Sequence, residues 1–418
     1  MKQLLDTLNN RYSEIDAWLA QHEQSNELPL YSSVDIRDAG FKMSVVDTNL
    51  FPAGFNNLCE HGVADAAPAL RKAILDRVEN CESIMVIAEE HTRNAWYLEN
   101  IRILKNIIEA AGFTVMIGTF LDVQPEFCND CLSIELETAT GETVKLYSMN
   151  RLCNKLGEGS CNFDLIIMNN DLTTGIPDIL RDACAPIYPS ISAGWHSRQK
   201  SHHFAHTADL MADFAEMAGV DPWLLTCLDQ VIDDVDINDA DHRERLQDSA
   251  SDLFARITKK YDEHGIDSKP FIFLKADSGT YGMGVMPIED PSDLTSLNRR
   301  GRNKLAKGKS SQSINRYLLQ EGVPTISSYG EQVAEACLYQ IANTVVGGFY
   351  RMHDDKNVRE NLNSKGMTFQ AICPRLSKYG DCGAHTENNI FDVYRILARI
   401  AGIAAHREII QLETAVAP

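Results

Sequence analysis

Positive charge is scarce in this sequence of 418 residues, which has 39 Lys and Arg against 59 Asp and Glu and a net charge of −20. A chain this acidic repels nucleic-acid phosphates and anionic lipid headgroups. The charge balance therefore predicts neither a general nucleic-acid binder nor a membrane-binding protein, although it still allows a local basic pocket.

Long apolar runs are also missing, since none approaches the roughly 20 residues that a membrane-spanning helix needs. The N-terminal segment MKQLLDTLNNRYSEIDAWL predicts an amphipathic helix interrupted by charge. The 11 cysteines show no framework of spacings, and their odd number cannot all pair, which favours a reduced chain. We expect a cytoplasmic protein.

The first half of the chain alternates between strand and helix patterns. Ser83–Ala88 and Phe113–Gly118 predict strands, and Ala95–Ala111 between them predicts a helix that ends at Gly112. A strand, helix and strand in this order imply parallel pairing with a right-handed crossover. Another buried strand, FDLIIMNND from Phe163, extends the pattern, so we predict a doubly wound α/β domain.

Two segments interrupt this alternation. Residues 132–149 contain LSIELET and TVKLYSM, which predict an inserted hairpin. Residues 31–60, YSSVDIRDAGFKMSVVDTNLFPAGFNNLCE, are predicted to be a loop-rich stretch.

A domain boundary is predicted near Pro186–Phe204. It separates an N-terminal α/β substrate-binding domain, residues 1–195, from a nucleotide-binding and catalytic domain, residues 196–418. Helices are predicted in the second domain at His206–Ala218 and Asn389–Ala405.

The segment FLKADSGTYGMGV has the clearest chemical pattern. An apolar strand, Phe271–Leu274, leads to Lys275 and a glycine loop, and a second strand is predicted at Val285–Ile288. Glycines let backbone N–H groups approach an anion, and the lysine adds a point charge. The lysine precedes the glycines, so the segment is not a P-loop and also lacks the dinucleotide fingerprint. It predicts either a flap over a nucleotide or an ordinary hairpin with an exposed lysine. The loop residues concerned are Ser278, Gly279, Gly282 and Gly284.

Further polar residues stand at the ends of other predicted elements. They are Lys200 before a helix, Gln320 and Glu321 in LQE, Arg351 at the end of VVGGFYR, and Arg359, Asn361 and Asn363 in RENLN. Together with the strand lysine and the glycine flap, this set resembles the ATP-grasp superfamily.

The resemblance implies an ATP-grasp-like fold behind an N-terminal doubly wound (pre-ATP-grasp) α/β domain, with ATP and Mg²⁺ as cofactors. Lys200 and Lys275 would neutralise ATP oxygens, and Gln320 and Glu321 would bracket the purine. Positioning and charge neutralisation dominate such phosphoryl transfer. A Ser-His-Asp or Cys-His signature is therefore not expected.

Arginines and amide side chains would complete such a site. Arg351 and Arg359 are the candidate catalytic residues, and Glu335, Asn361 and Asn363 are the candidate metal ligands. In the ATP-grasp superfamily a Glu-x-Asn metal motif usually follows the last long helix. This chain has no such motif there, so the resemblance leaves these three residues as the available substitutes.

Longer motifs narrow the resemblance. SVDIRDAG, SVVDTNLFPAGFNNLCEHG, SAGWHSRQKSHHF, FLKADSGTYGMGV and RENLNSKGMTF together resemble the proteobacterial glutamate-cysteine ligase family over nearly the whole chain. The resemblance implies that ATP drives the joining of the glutamate γ-carboxyl group to the cysteine amine, the first step of glutathione synthesis. The implied partners are L-glutamate, L-cysteine and ATP, and a homo-oligomer is possible.

The segment around DTNLFPAGFNN is the candidate glutamate site. Asp47, Asn49, Asn56 and Asn57 could hold the α-amino and α-carboxyl groups, with Arg37 pairing a carboxylate. The same residues could instead serve turn chemistry before Pro-Ala-Gly.

Several alternatives stay open. His196, His202, His203 and His206 could suggest zinc, but their spacing matches no closed ligand set, and capping or phosphate contacts are simpler roles. The basic run Arg299–Lys309 could be a flap or a solvated helix face. A regulatory protein that keeps an ATP-grasp shell without chemistry, or another carboxylate-amine ligase such as a glutathione synthetase, would share many of these features.

Overall fold

The computed structural model describes residues 2–25, 27–91, 93–121, 132–156, 163–278, 284–306, 314–374 and 388–416. Three sheets organise these residues. One is largely parallel and comes from the first half of the chain, and two are antiparallel.

The parallel sheet has the strand order β5-β6-β4-β3-β7-β8. Its strands are β3 (Ser83–Ala88), β4 (Thr114–Thr119), β5 (Ser133–Glu137), β6 (Thr143–Ser148), β7 (Leu165–Asn169) and β8 (Ile187–Tyr188). The prediction for β3 is confirmed, and β4 lies one residue later than predicted. The predicted hairpin is the antiparallel pair β5 and β6, and β6 also joins the sheet beside β4.

Helices cover both faces of this sheet. They are α3 (Glu60–Leu75), α4 (Ala95–Ala110), α5 (Met149–Leu156) and α6 (Asp178–Arg181). Ile84 and Val86 of β3 pack with α3 and α4, whereas Met85 and Ile87 face a second core on the other side. A strand that is buried on both faces appears in the sequence as a continuous apolar run. This is why β3 could be predicted from the sequence.

The largest antiparallel sheet has the main order β16-β15-β14-β1-β2, with β13 beside β14. Its strands are β1 (Tyr31–Asp38), β2 (Met43–Asn49), β13 (Ser328–Tyr329), β14 (Gln332–Ile341), β15 (Thr344–His353) and β16 (Thr368–Ile372). The predicted loop at 31–60 is therefore wrong for residues 31–38 and 43–49. The error arises because successive side chains of a strand point to opposite faces. Val34 and Ile36 of β1 enter the core, while Asp35 and Arg37 line cavities.

Four helices pack around the core face of this sheet: α1 (Lys2–Asn10), α2 (Tyr12–Gln24), α7 (Lys200–Ala218) and α10 (Asn388–Val416). The predicted N-terminal helix is thus divided at Arg11. Both α7 and α10 are longer than predicted, α7 at its start and α10 chiefly at its end.

The third sheet has the order β11-β10-β12-β9 and is antiparallel throughout. It contains β9 (Asp229–Ile232), β10 (Ile272–Ala276), β11 (Val285–Ile288) and β12 (Tyr317–Glu321), with α8 (Ala240–Glu263) and α9 (Arg299–Ala306) nearby. The prediction for β11 and its antiparallel pairing with the preceding strand is confirmed.

Strand pairing links distant parts of the sequence. β1 pairs with β14 from Tyr31 opposite Ile341 to Ile36 opposite Ala336. Strands from the N-terminal and C-terminal parts of the chain therefore share one sheet. The boundary at residue 195 stays a prediction. Among the described helices, none combines the length and the apolar character that crossing a bilayer requires.

Candidate functional site

Two adjoining cavities lie where the three sheets approach one another. The first cavity, about 660 Å³, is lined by Asp35, Arg37, Val46, Asp47, Lys200, Phe273, Lys275, Val285, Gln320, Glu321, Val323, Glu335, Asn361 and Asn363. The second cavity, about 950 Å³, shares Asp35, Asp47 and Asn363 and extends to the carboxyl ends of β3 and β7. The shared residues form the border between the cavities.

Lys275 stands in the first cavity on β10. Its Nζ donates to the carbonyl oxygen of Val46 at 3.0 Å and to Oε1 of Gln320 at 2.6 Å. Burial lowers the pKa of Lys275 to about 8, and the nearby charge of Lys200 acts in the same direction against the opposing effect of Asp47. A cation held in this way is ready to gain an anionic ligand.

Lys200 stands at the N-terminus of α7 and forms a 2.8 Å ion pair with Asp47 of β2. Burial disfavours the Asp47 carboxylate, but the charges of Lys200 and Lys275 outweigh it and lower the Asp47 pKa to about 2. The Lys200 Nζ also lies 4.6 Å from the Trp195 ring centroid. Asp47 is therefore already paired at the border, and it lies on a strand where the sequence predicted a loop.

Asp277, directly after β10, fixes the start of α7. Its Oδ1 accepts from the Ser201 backbone N–H at 2.8 Å, and its Oδ2 accepts from the Ser201 hydroxyl and from Arg316. The Asp277 carbonyl accepts the Lys200 backbone N–H at 2.7 Å. These bonds tie the two lysine-bearing elements to each other.

A chain of buried charges crosses the large sheet beside both cavities. Arg37 donates to Glu335 at 2.7 Å, and Arg351 donates to Glu335 at 2.7 Å and to Asp35 at 2.9 Å. Burial opposes the charge on Glu335, but the two arginines hold its pKa below the usual value. Arg37 thus already has a carboxylate partner.

Glu321 turns its side chain toward the core at the end of β12. Its carboxylate lies 3.0 Å from Lys42 Nζ and accepts from the indole N–H of Trp223 at 3.1 Å. Gln320 beside it is buried, and its amide nitrogen has no partner among the described residues. Both residues line the first cavity, and their role at a purine stays a prediction.

The predicted metal ligands do not form a ready site. Both Glu335 oxygens accept from arginines, and the Asn361 side chain accepts the Asn363 backbone N–H at 2.9 Å. Within the described ranges, no group of three or more His, Cys, Asp and Glu side chains could hold a metal ion. The structure therefore assigns no metal to this donor set.

The cavities do not bring every predicted residue together. Asn49 and Asn57 line the second cavity, but Asn56 does not. Arg359 lines neither and donates to the Lys269 carbonyl at 2.9 Å. Ser278 is exposed, and the Gly284 carbonyl accepts from Ala276. Gly279 and Gly282 lie outside the described residues.

The histidine motif serves structural contacts. His196 lies 3.2 Å from the Leu172 carbonyl and His206 lies 2.9 Å from Gln411, so they do not converge. His203 contacts Glu408 at 3.3 Å. The first part of the basic run forms α9, whose residues Arg299 and Arg300 are exposed.

A buried ion pair supports the border from behind. Arg198 donates two bonds to Glu408, at 2.8 and 3.0 Å, and a third to the carbonyl of Thr48 at 2.9 Å. The Trp195 ring lies 4.8 Å from its guanidinium carbon. Because Thr48 follows Asp47, this pair helps to fix the strand that carries the shared carboxylate.

Residues that sequence reasoning missed line the second cavity at the edge of the parallel sheet. They are Glu89, Tyr97, Asn169, Asp171 and Trp195. The sequence does show polar residues at these strand ends, in AEE at the end of β3 and in NND at the end of β7. Ligands of open α/β sheets bind outside the carboxyl ends of the strands, so polar residues there are candidates.

Comparisons with known proteins agree with this architecture. The glutamate-cysteine ligase family model matches residues 6–409. A crystal structure from Methylobacillus flagellatus KT, of a candidate gamma-glutamylcysteine synthetase, has 36% sequence identity and a TM-score of 0.86, covering 98% of this chain and 96% of that one. D-alanyl-alanine synthetase A from Vibrio cholerae has 9% identity and a TM-score of 0.35, covering 77% of this chain and 80% of that one. No curated protein matches the chain.

The family match spans nearly the whole sequence, and the Methylobacillus structure shares the fold along nearly all of it. The resemblance that the long motifs indicated is thereby confirmed: the chain belongs to the glutamate-cysteine ligase family.

Proposed function

We propose that this chain forms γ-glutamylcysteine from L-glutamate and L-cysteine with ATP, the first step of glutathione synthesis, through γ-glutamyl phosphate. The observation that supports this most directly is the pair of adjoining cavities, one with two lysines and one that extends to the carboxyl ends of β3 and β7. Family membership supplies the reaction class.

In this proposal ATP occupies the first cavity. Phe273, Val285 and Val323 supply apolar wall for the base, while Lys275 and Lys200 approach the phosphates. We infer an ATP-grasp-like fold, because the antiparallel strands β10, β11 and β12 would flank the nucleotide in the first cavity.

Glutamate occupies the second cavity, with its γ-carboxylate at the border. A carboxylate oxygen attacks the γ-phosphorus of ATP, the bond to the ADP oxygen breaks, and the acyl phosphate forms. The uncharged cysteine amine then attacks the acyl carbon, phosphate leaves, and the new amide loses one proton. Lys200 and Lys275 stabilise charge on the transferring group, and Arg351 lies beside the acyl end.

Mg²⁺ enters this proposal as the companion of the ATP phosphates, where it would reduce their charge. In the predicted set of Glu335, Asn361 and Asn363, both Glu335 oxygens already accept from arginines, and the role of this set as metal ligands stays a prediction. We expect the reaction in the cytoplasm.

The test is product formation by the purified chain. With ATP, Mg²⁺, glutamate and cysteine together, we expect ADP, phosphate and γ-glutamylcysteine in equal amounts, and we expect no turnover when either amino acid is omitted. Replacing cysteine by 2-aminobutyrate tests acceptor selectivity. ADP release without γ-glutamylcysteine would contradict the proposal, and faster turnover with another amine would favour a different carboxylate-amine ligase.

A further inference from the structure

The carboxyl ends of β3 and β7 meet at the point where the parallel sheet reverses direction. From β3 the chain proceeds outward to β4 and β6, and it then returns to the other side with β7 and β8. Such a switch point opens a crevice between neighbouring strands, because their following loops depart in opposite directions. Here the crevice opens into the second cavity, where Glu89 and Asp171 stand after the two strands.

Charge distinguishes this end of the cavity. The side chains lining the second cavity include four carboxylates, on Asp35, Asp47, Glu89 and Asp171, and one arginine, Arg351. Asp35 is bonded to Arg351, and Asp47 to Lys200. Glu89 and Asp171 stand at the end remote from the lysines, where Glu89 also lies 3.6 Å from Nε2 of His91.

The two carboxylates are held by backbone groups. Glu89 Oε1 accepts the Asp171 backbone N–H at 2.9 Å, and Asp171 Oδ1 accepts from the backbone and hydroxyl of Thr173 at 3.1 and 2.6 Å. Fixed backbone donors keep both groups oriented before the ligand arrives.

Trp195 gives an independent indication of a ligand. Its side chain lines the same cavity, it is only 5% exposed, and its indole N–H has no partner among the described residues. A buried donor without an acceptor is costly, so such groups in a cavity wall usually meet a ligand or a water. The Trp195 backbone N–H donates to the Asp171 carbonyl at 2.8 Å, so the main chains of these two cavity residues lie side by side.

We propose that Glu89 and Asp171 bind the α-ammonium group of glutamate and that the Trp195 indole N–H binds its α-carboxylate. This rests on the proposed function. An amino-acid head group needs acceptors and a donor together, and these three residues supply them. None of them lines the first cavity, whereas the border residues line both, so the head group lies away from the reacting γ-carboxylate.

The chemistry selects glutamate over cysteine for this position. The cysteine nitrogen must reach the acyl carbon at the border as an uncharged amine. An ammonium group bound remotely by two carboxylates can therefore belong only to the substrate that supplies the γ-carboxyl group. Asp47 then keeps its ion pair with Lys200 and does not bind the ammonium group.

Truncated substrates test each half of the head group. Glutarate lacks the α-ammonium group, and 4-aminobutyrate lacks the α-carboxylate, while both keep a carboxylate for phosphorylation. The measurement is the ratio of kcat/KM for glutamate to that for each analogue, with ADP release as the readout. This ratio does not depend on the concentration of folded enzyme, so partial unfolding of a variant does not obscure it.

We expect Glu89→Gln and Asp171→Asn each to lower the preference for glutamate over glutarate by about 10-fold or more, leaving the KM for ATP unchanged. Trp195→Phe keeps the ring and removes the N–H, and it should lower the preference for glutamate over 4-aminobutyrate. Glu82→Gln, an exposed change before the amino end of β3, is the matched control and should alter neither ratio.

The outcomes separate the two proposals. If the wild-type chain forms γ-glutamylcysteine but the variants keep the wild-type preference ratios, the head-group site is wrong and the proposed function stands. If kcat/KM for glutamate and for glutarate fell by equal factors, these residues would have a structural role and would not bind the head group. Failure of the wild-type chain to make the product would overturn the proposed function itself.

Discussion

The two cavities share a border but differ in the charge that they present. Four carboxylates line each cavity, but the first also has three cationic side chains, Lys200, Lys275 and Arg37, whereas the second has one, Arg351. A polyphosphate and an ammonium group require opposite fields, and at the border Asp47 and Lys200 balance each other at 2.8 Å. In a chain with a net charge of −20, the first cavity is thus the one with more cationic side chains available to phosphate.

The cavities also differ in what holds their walls. The lysines of the first cavity are fixed by side-chain and carbonyl bonds that a ligand can replace, as in Lys275 with Gln320. The second cavity rests on buried strand ends and on the Arg198 and Glu408 pair, which is shielded from water. Changes behind the border should therefore affect stability, and changes within the first cavity should affect nucleotide binding.

Glu408→Gln should have the largest effect, because it leaves Arg198 buried without its charge partner. We expect a loss of about 3–5 kcal/mol in the free energy of unfolding, measured by urea denaturation. Glu14→Gln, in an exposed pair with Arg11, is the control and should change it by less than about 1 kcal/mol.

The same pair predicts an acid sensitivity. Burial opposes the Glu408 charge, but Arg198 and His203 lower its pKa to about 2, below the unfolded value. The contribution to stability is therefore complete above the unfolded pKa and is lost as the pH falls toward 2. Glu408→Gln should lack this part of the acid transition, and an unchanged transition would contradict the assignment.

Lys275→Ala should slow turnover and weaken ATP binding by a combined 2–4 kcal/mol, about the loss of one donor to a transition-state charge. Lys275→Arg should rescue poorly, because a forked guanidinium does not replace a point charge. Lys259→Ala on the exposed face of α8 is the control. Unchanged ATP affinity and turnover in a folded Lys275→Ala variant would show that this lysine does not bind the nucleotide.

Asp47→Asn tests the border. Without the Asp47 carboxylate, Lys200 loses the partner that fixes it at the border beside the γ-carboxylate, so the KM for glutamate should rise about 10-fold and the KM for ATP should rise less. Steady-state kinetics with each substrate varied in turn measure both. A change confined to the melting temperature would show that Asp47 serves only the fold, and Asp252→Asn on α8 provides the surface control.

The pH dependence of ATP affinity should show the smallest effect. Lys275 has a lowered pKa of about 8 in the free chain, and bound phosphate should raise it. Affinity should therefore be highest below pH 8 and fall by up to about 10-fold per pH unit above it, with proton uptake on binding. Calorimetry in buffers of different ionisation enthalpy measures the uptake, and Lys275→Ala should abolish it.

The sequence was most informative where one chemical property dominated a segment. β3 and β11 were located because each is a short run with clear boundaries. β1 and β2 were missed because one face of each supplies polar residues to the cavities, so the segment looked like a loop. The functional residue types were visible there, but the backbone that positions them was not.

Contacts between distant residues could not be inferred. Asp47 and Arg37 were chosen as candidates from local motifs, yet their partners Lys200 and Glu335 lie 153 and 298 positions away. Likewise, Glu89 and Asp171 become neighbours only through the parallel pairing of β3 with β7. A local pattern carries no information about such pairings.

The position of β1 between β2 and β14 has a consequence for how the protein is made. Arg37 leaves the ribosome 298 residues before Glu335, its partner across that pairing. At about 5–20 residues per second, the β1 and β2 hairpin waits roughly 15–60 seconds with an open edge. During this interval the hairpin can pair with other nascent chains, so the large sheet is the part of the molecule with the greatest need of chaperones.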